Sequence, residues 1–172
     1  MMAHVMGLRE ERALKHAAEL GIAMQLTNIA RDLIEDADME RIYIPLNWLN
    51  EAVIPAAEIA EPKHRDKLAM LTLRLLREAG RYYQSGDAGL WHLSFRSACA
   101  VSAARHVYSE IGSQLVKKGS RAWDRRTYVT GSLKIWVVAR ALLNLSRSVP
   151  ARTLKPWWPA PLRVVWKYSH VQ

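Results

Sequence analysis

The chain holds a single cysteine in 172 residues, so no disulfide can form within it, which fits a reducing compartment. Cys99 sits in the small-residue run Ser97-Ala98-Cys99-Ala100, a composition that points to packing rather than thiol chemistry. No unbroken apolar run is long enough to span a bilayer, although half of the residues are hydrophobic, enough for a sizeable core. The opening residues, MMAHVMGLREER, lack the charged start, apolar centre and small-residue cleavage site of a secretory signal. His4, His16, His64, His92, His106 and His170 show no metal-ligand spacing. No segment alternates polar and apolar residues with period 2, so strands are not expected.

Acidic charge is also scarce: 16 acidic against 25 basic residues leave a net charge of +9 and a pI near 10.0. That balance admits nucleic acid, an anionic membrane surface or diphosphate substrates as partners. No helix-turn-helix, zinc-finger or RNA-binding signature accompanies it, so nucleic acid is set aside. From Pro150 onward the composition changes to four prolines and three tryptophans among basic residues. Tryptophan beside lysine and arginine suits a peripheral membrane anchor, and it equally suits aromatics folded back on the body. The expected division is a main domain over 1–149 and a Pro/Trp/basic tail over 150–172, in a cytoplasmic protein at a membrane surface.

Apolar spacing reads as helix throughout, so the fold class is all-α. The pattern predicts helices over 8–37, 64–84, 95–118 and 133–147, with a short one at 46–52. Gly21 is expected to allow close packing inside the first helix, Gly86 and Gly89 to mark a turn, Gly119 to stop the third long helix, and Thr130 to cap the last. Leu68, Leu71, Leu75 and Ala79 share one face of the second long helix.

The most informative stretch is QLTNIARDLIEDADMERIYIP, Gln25 to Pro45. At ~100° per residue, Gln25, Asn28, Asp32 and Asp36 fall within about a quarter of the helix circumference. Short carboxylates and amides are oxygen ligands for a hard divalent cation, and Arg31 and Arg41 supply positive charge for anionic oxygens. A polar helical stripe is commonly just a solvated face, but solvated faces favour long Lys and Glu side chains. Thr27, Asn28, Asp32 and Asp36 are weaker helix formers, a local cost of the kind that marks functional sites. Composition alone leaves both readings standing.

The stretch resembles the second aspartate-rich motif of the squalene and phytoene synthase family, through Leu20-Gly21, Gln25, Asn28, Arg31-Asp32, Asp36, Arg41, Tyr43 and Pro45. The similarity extends to Met6-Gly7, Tyr82-Tyr83 with Gly89-Leu90, Arg96-Ser97-Ala98, and Ala104 through Tyr108 with Ile111-Gly112. It reaches Ala122-Trp123-Asp124-Arg125-Arg126 and spans roughly residues 6 to 145, in a version most similar to the bacterial phytoene synthases.

The resemblance implies an isoprenoid-synthase-type helical bundle and a head-to-head condensation of two geranylgeranyl diphosphates to phytoene through a cyclopropyl intermediate. Condensation of farnesyl diphosphates to squalene or dehydrosqualene is the alternative within the class. It implies that Asp32 and Asp36 bind Mg2+, with Mn2+ as a substitute, and that Gln25, Asn28, Arg31 and Arg126 bind or line the substrate diphosphate. Tyr43 and Tyr108 match active-site tyrosines, whereas Tyr82 and Tyr83 read as packing residues. The family carries a first aspartate-rich motif upstream, yet no other Asp-xxx-Asp pair occurs here: Asp38, Asp66, Asp87 and Asp124 are isolated. The expectation is the carboxyl-terminal portion of a synthase, completed by a missing amino-terminal half or by self-association, or else a non-catalytic remnant or partner subunit.

Overall fold

Three prolines, Pro45, Pro55 and Pro62, fall in one short stretch, and that is where the long helices are interrupted. A computed structural model describes residues 9–125 together with Thr127, Ala139 and Leu143. Its helices are α1 (Glu11–Asp38), α2 (Leu46–Glu51), α3 (Arg65–Gly89) and α4 (Phe95–Lys118). Single 3-10 turns at Ala56–Glu58, Pro62–His64, Leu90–His92 and Gly119–Arg121 join or follow them. No strand occurs among the described residues, and no helix there is long and apolar enough to cross a membrane.

The helix ends follow local chemistry. Ser94 caps α4 by accepting a hydrogen bond from the Ser97 amide at 3.3 Å. Lys117 and Lys118 complement the dipole at the other end, and Gly119 stops the helix with φ +56°. At the end of α1 the Glu40 amide bonds to the Ala37 carbonyl at 3.0 Å and the Arg41 amide to the Asp36 carbonyl at 2.8 Å. With Glu40 at φ 58°, this is a Schellman closure made without glycine, and it turns the chain back past α1.

The main core joins Ala30 and Leu33 of α1, Leu68, Leu71, Leu75 and Leu76 of α3, and Ile111 and Leu115 of α4. Leu68, Leu71, Leu75 and Ala79 are all buried, as the apolar spacing predicts. Each buried leucine contributes about 2 kcal/mol from area removed from water. A smaller cluster of Leu20, Ala23, Ala79 and Tyr83 sits between α1 and α3, with Tyr82, Val101 and Tyr108 packed against it. Trp123 donates its ring N–H to the Ala30 carbonyl at 3.1 Å, which ties the segment after α4 to the middle of α1.

Two glycine expectations are corrected. Gly86 and Gly89 do not mark a turn: α3 runs through both, ending at Gly89 rather than near Gln84. A Cβ on Gly86 would stand 2.8 Å from Leu20 Cβ, and one on Gly89 would stand 2.6 Å from His16 Cβ. These are the points where α3 meets α1 with room only for hydrogen. Gly21 is not such a point, because a Cβ there would meet nothing within 4 Å. α4 has the expected bounds, and Cys99 is half-buried within it. The helix expected over 133–147, its cap Thr130 and the tail from residue 150 lie outside the described residues, apart from Ala139 and Leu143.

The glycines divide accordingly. Gly86→Ala and Gly89→Ala gain up to about 1 kcal/mol of helix propensity, but overpacking against the root of a neighbouring side chain costs about 1–3 kcal/mol. Both variants are expected to melt below the parent protein, whereas Gly21→Ala is expected to melt above it. Urea denaturation of the three variants checks this. A stabilising Gly89→Ala would contradict the close approach.

Candidate functional site

α1 presents Gln25, Asn28, Asp32 and Asp36 along one face, with Gln25 exposed and the other three half-buried. Arg31 grips Asp32 with both arms of its guanidinium, Nε to Oδ1 at 2.8 Å and Nη2 to Oδ2 at 2.6 Å. Both side chains are only 18% exposed, so the pair is shielded from salt more than a surface bridge is. The hydrogen bond to Asp32 holds the Arg31 guanidinium above its ordinary range against the opposing effect of burial, with smaller support from Tyr108 and Glu35. Arg31 therefore neutralises and orients Asp32 rather than standing apart from it.

Asn28 Oδ1 is closed off from solvent and has no hydrogen-bond partner. Leaving such an acceptor unsatisfied costs about 1–3 kcal/mol. It stands one turn before Asp32 on the same face, where a cation would satisfy it. No group of three His, Cys, Asp or Glu side chains able to hold a metal forms among the described residues. The donor set is instead two carboxylates with amide oxygens. That set fits Mg2+, which commonly takes one or two carboxylates and completes its shell with water and substrate phosphates.

Asp36, Arg41 and Tyr43 come together at the end of α1. The Schellman closure carries the chain back so that these three line a shallow open cleft with Ile29, Leu33, Ile44 and Ile59. Ile44 and Ile59 are buried in its floor, while Tyr43 is 52% exposed at its rim. Tyr108 lies elsewhere, on the cluster with Leu20, Ala23, Ala79 and Tyr83, within electrostatic reach of Arg31. Arg126 lies outside the described residues, and its neighbour Arg125 is exposed.

Thr27 is a correction. Its weak helix propensity counted toward a functional polar face, but the residue is 1% exposed on the opposite side of α1. Its hydroxyl donates to the Ala23 carbonyl at 3.0 Å and meets the Tyr83 hydroxyl at 2.9 Å. Tyr83 is 1% exposed, and burial pushes its phenol up to about 12. Sequence reasoning also passed over Arg105 and Asp87. Arg105 Nη2 donates to Asp87 Oδ2 at 2.7 Å, a pair 18 residues apart that no local spacing reveals.

An all-α body with an oxygen-rich, arginine-backed helix face has the composition of a metal-assisted diphosphate site. Comparison with known proteins supplies the family: the squalene/phytoene synthase model matches residues 1–132, and the chain belongs to that enzyme family. A phytoene synthase of Pseudescherichia vulneris is 42% identical over 165 residues, covering 94% of this chain and 53% of the relative. A 15-cis-phytoene synthase of Enterobacter agglomerans is 42% identical over 141 residues, covering 82% and 48% respectively. One from Pantoea ananas is 39% identical over 161 residues, covering 91% and 52%. The chain thus spans about half the length of the curated relatives it matches.

Burial of Tyr83 has a consequence for alkaline stability. A phenol raised to about 12 in the folded chain, against 10.0 when free, binds its proton more tightly folded than unfolded. Stability is therefore present below pH 10 and is lost as pH rises toward 12, by a few kcal/mol. Tyr83→Phe should flatten that loss while costing about 1 kcal/mol at neutral pH for the missing hydrogen bond. Urea midpoints of both proteins at pH 8 and pH 11 test it, with equal alkaline losses as the contrary result.

Proposed function

We propose that this chain carries the magnesium–diphosphate side of a phytoene synthase, an enzyme that condenses two geranylgeranyl diphosphates into phytoene for carotenoid synthesis. The observation that carries the reading is the unpartnered Asn28 Oδ1 on the same face as Asp32 and Asp36. The names of the three bacterial relatives support the twenty-carbon substrate and the product. A membrane-surface location, for collecting a lipid-soluble substrate, belongs to the same reading.

The residues divide the work. Asp32, Asp36, Asn28 and Gln25 offer the oxygen atoms that hold magnesium. When bound, the metal supplies charge neutralisation for a departing diphosphate. Arg31 holds Asp32 in orientation, and Arg41, in the Asp36 cleft, faces anionic oxygens. Ile29, Leu33, Ile44 and Ile59 give that cleft apolar walls, which keep water from one side of a reactive allylic cation. Tyr43 from the cleft and Tyr108 from the neighbouring cluster would offer aromatic faces to a cation.

The described site is open on one side: Tyr43 is 52% exposed, and Ile22, on the flank of the same α1 face, is 43% exposed. An allylic cation formed there meets water, so the chain by itself is expected to give no phytoene from labelled geranylgeranyl diphosphate and magnesium. Ligand binding is expected to survive. Calorimetric titration of pyrophosphate should show heat only when magnesium is present. Asp32→Asn and Asp36→Asn should each weaken it at least ~10-fold, about 1.4 kcal/mol, and Asp38→Asn should not. Binding indifferent to both aspartates would overturn the assignment.

A further inference from the structure

Arg105, Asp87, Tyr83 and Thr27 are polar groups for which the diphosphate reading has no use. Arg105 is 5% exposed, and its Nε has no partner. An arginine held this deep is costly, and an apolar side chain of similar volume commonly serves stability as well or better. Its retention here goes with a geometric arrangement. From α4, Arg105 Nη2 donates to Asp87 Oδ2 on α3 at 2.7 Å, and the guanidinium lies 5.4 Å from the centre of the Tyr83 ring. Tyr83 then reaches α1 through its 2.9 Å hydrogen bond with Thr27. One polar chain thereby joins three helices.

Its level in the bundle is informative. Thr27 precedes Arg31 by about one turn of α1, and Arg105 precedes Tyr108 by about one turn of α4. Tyr108 packs on the same small cluster as Tyr83. The belt therefore lies one layer from the place where Tyr108 comes within reach of the Arg31–Asp32 pair. A rotation of α4 that carried Tyr108 away would pull Arg105 off Asp87.

We propose that Arg105 and Asp87 are positioning residues for Tyr108: their ion pair across α4 and α3, seated on Tyr83, sets the rotation of α4 that presents Tyr108 to the site. This rests on the reading of Tyr108 as a site residue. Apolar packing alone tolerates small helix rotations, whereas a short charge-assisted hydrogen bond between two helices, made by a guanidinium that also lies over the Tyr83 ring, narrows them. Lysine keeps the charge but not the planar guanidinium that bonds Asp87 while lying over the Tyr83 ring, so it cannot replace Arg105 in this role.

The test uses the full chain with its six tyrosines replaced by 3-fluorotyrosine and read by 19F NMR, with Tyr108→Phe identifying the Tyr108 resonance. Asp87→Asn and Arg105→Lys should each displace or broaden that resonance and leave the Tyr43 resonance in place. Asp87→Glu should bring it back toward the parent position. Arg81→Gln, which breaks an exposed 2.9 Å pair with Glu78 on the outside of α3, should leave it unmoved. Arg105→Lys retains a buried cation and so covers the case in which Asp87→Asn does not fold by circular dichroism. An unmoved Tyr108 resonance in either folded variant, or no recovery with Asp87→Glu, overturns the proposal. Magnesium-dependent pyrophosphate binding should be unchanged in these variants. Its absence from the parent chain as well would count against the diphosphate reading and leave the Tyr108 result standing.

Discussion

The contact of α1 with α3 at Gly86 and Gly89 fixes the rotation of α1, and every later feature of the site depends on that rotation. His16 and Leu20 face α3 at these points, and Ala23, Thr27 and Ala30 continue the same buried side. At ~100° per residue, Asp32 lies roughly 120–160° round the helix from His16 and Leu20. The face carrying Gln25, Asn28, Asp32 and Asp36 is thus turned away from α3. A side chain at either glycine would force a shift or rotation of α1, and a rotated α1 would carry its carboxylates with it.

Electrostatics then refine what packing has placed. Two carboxylates on one face repel, and the fold balances each differently. Asp32 is matched by Arg31 within the helix, through two short hydrogen bonds. Asp36 shares its cleft with Arg41, which the 2.8 Å bond from the Arg41 amide to the Asp36 backbone carbonyl helps to bring back past the helix. The remaining imbalance is the Asn28 oxygen, an acceptor held in place with nothing to accept.

The sequence made the all-α class, the bounds of α4 and the polar stripe of α1 legible, because each rests on local periodicity and on helix-ending residues such as Gly119. The family was legible through residue spacings, and the matching model extends over most of the same range. Other features were out of reach for specific reasons. Glycine in a sequence signals a turn unless the opposing helix is known, and His16 and Leu20 oppose Gly89 and Gly86 from some 70 residues away. Thr27 joined the polar stripe by composition, although its partner Tyr83 is 56 residues on, across an interhelical contact. Arg105 was visible within a motif, but its pairing with Asp87 exists only once α3 and α4 are packed.

The central claim is that the acidic face of α1 is where a divalent cation and a diphosphate meet, and paramagnetic broadening by Mn2+ tests it most directly. With pyrophosphate present, substoichiometric Mn2+ added to the 15N-labelled chain should broaden first the backbone amides of residues 25–36 together with Arg41 and Tyr43, and the Asn28 side-chain amide most of all. Amides of the outer face of α3, such as Arg77 and Arg81, should stay sharp. Broadening centred elsewhere, for example on Glu58 and His64 or on Glu10 and His92, with residues 25–36 untouched, would contradict the account.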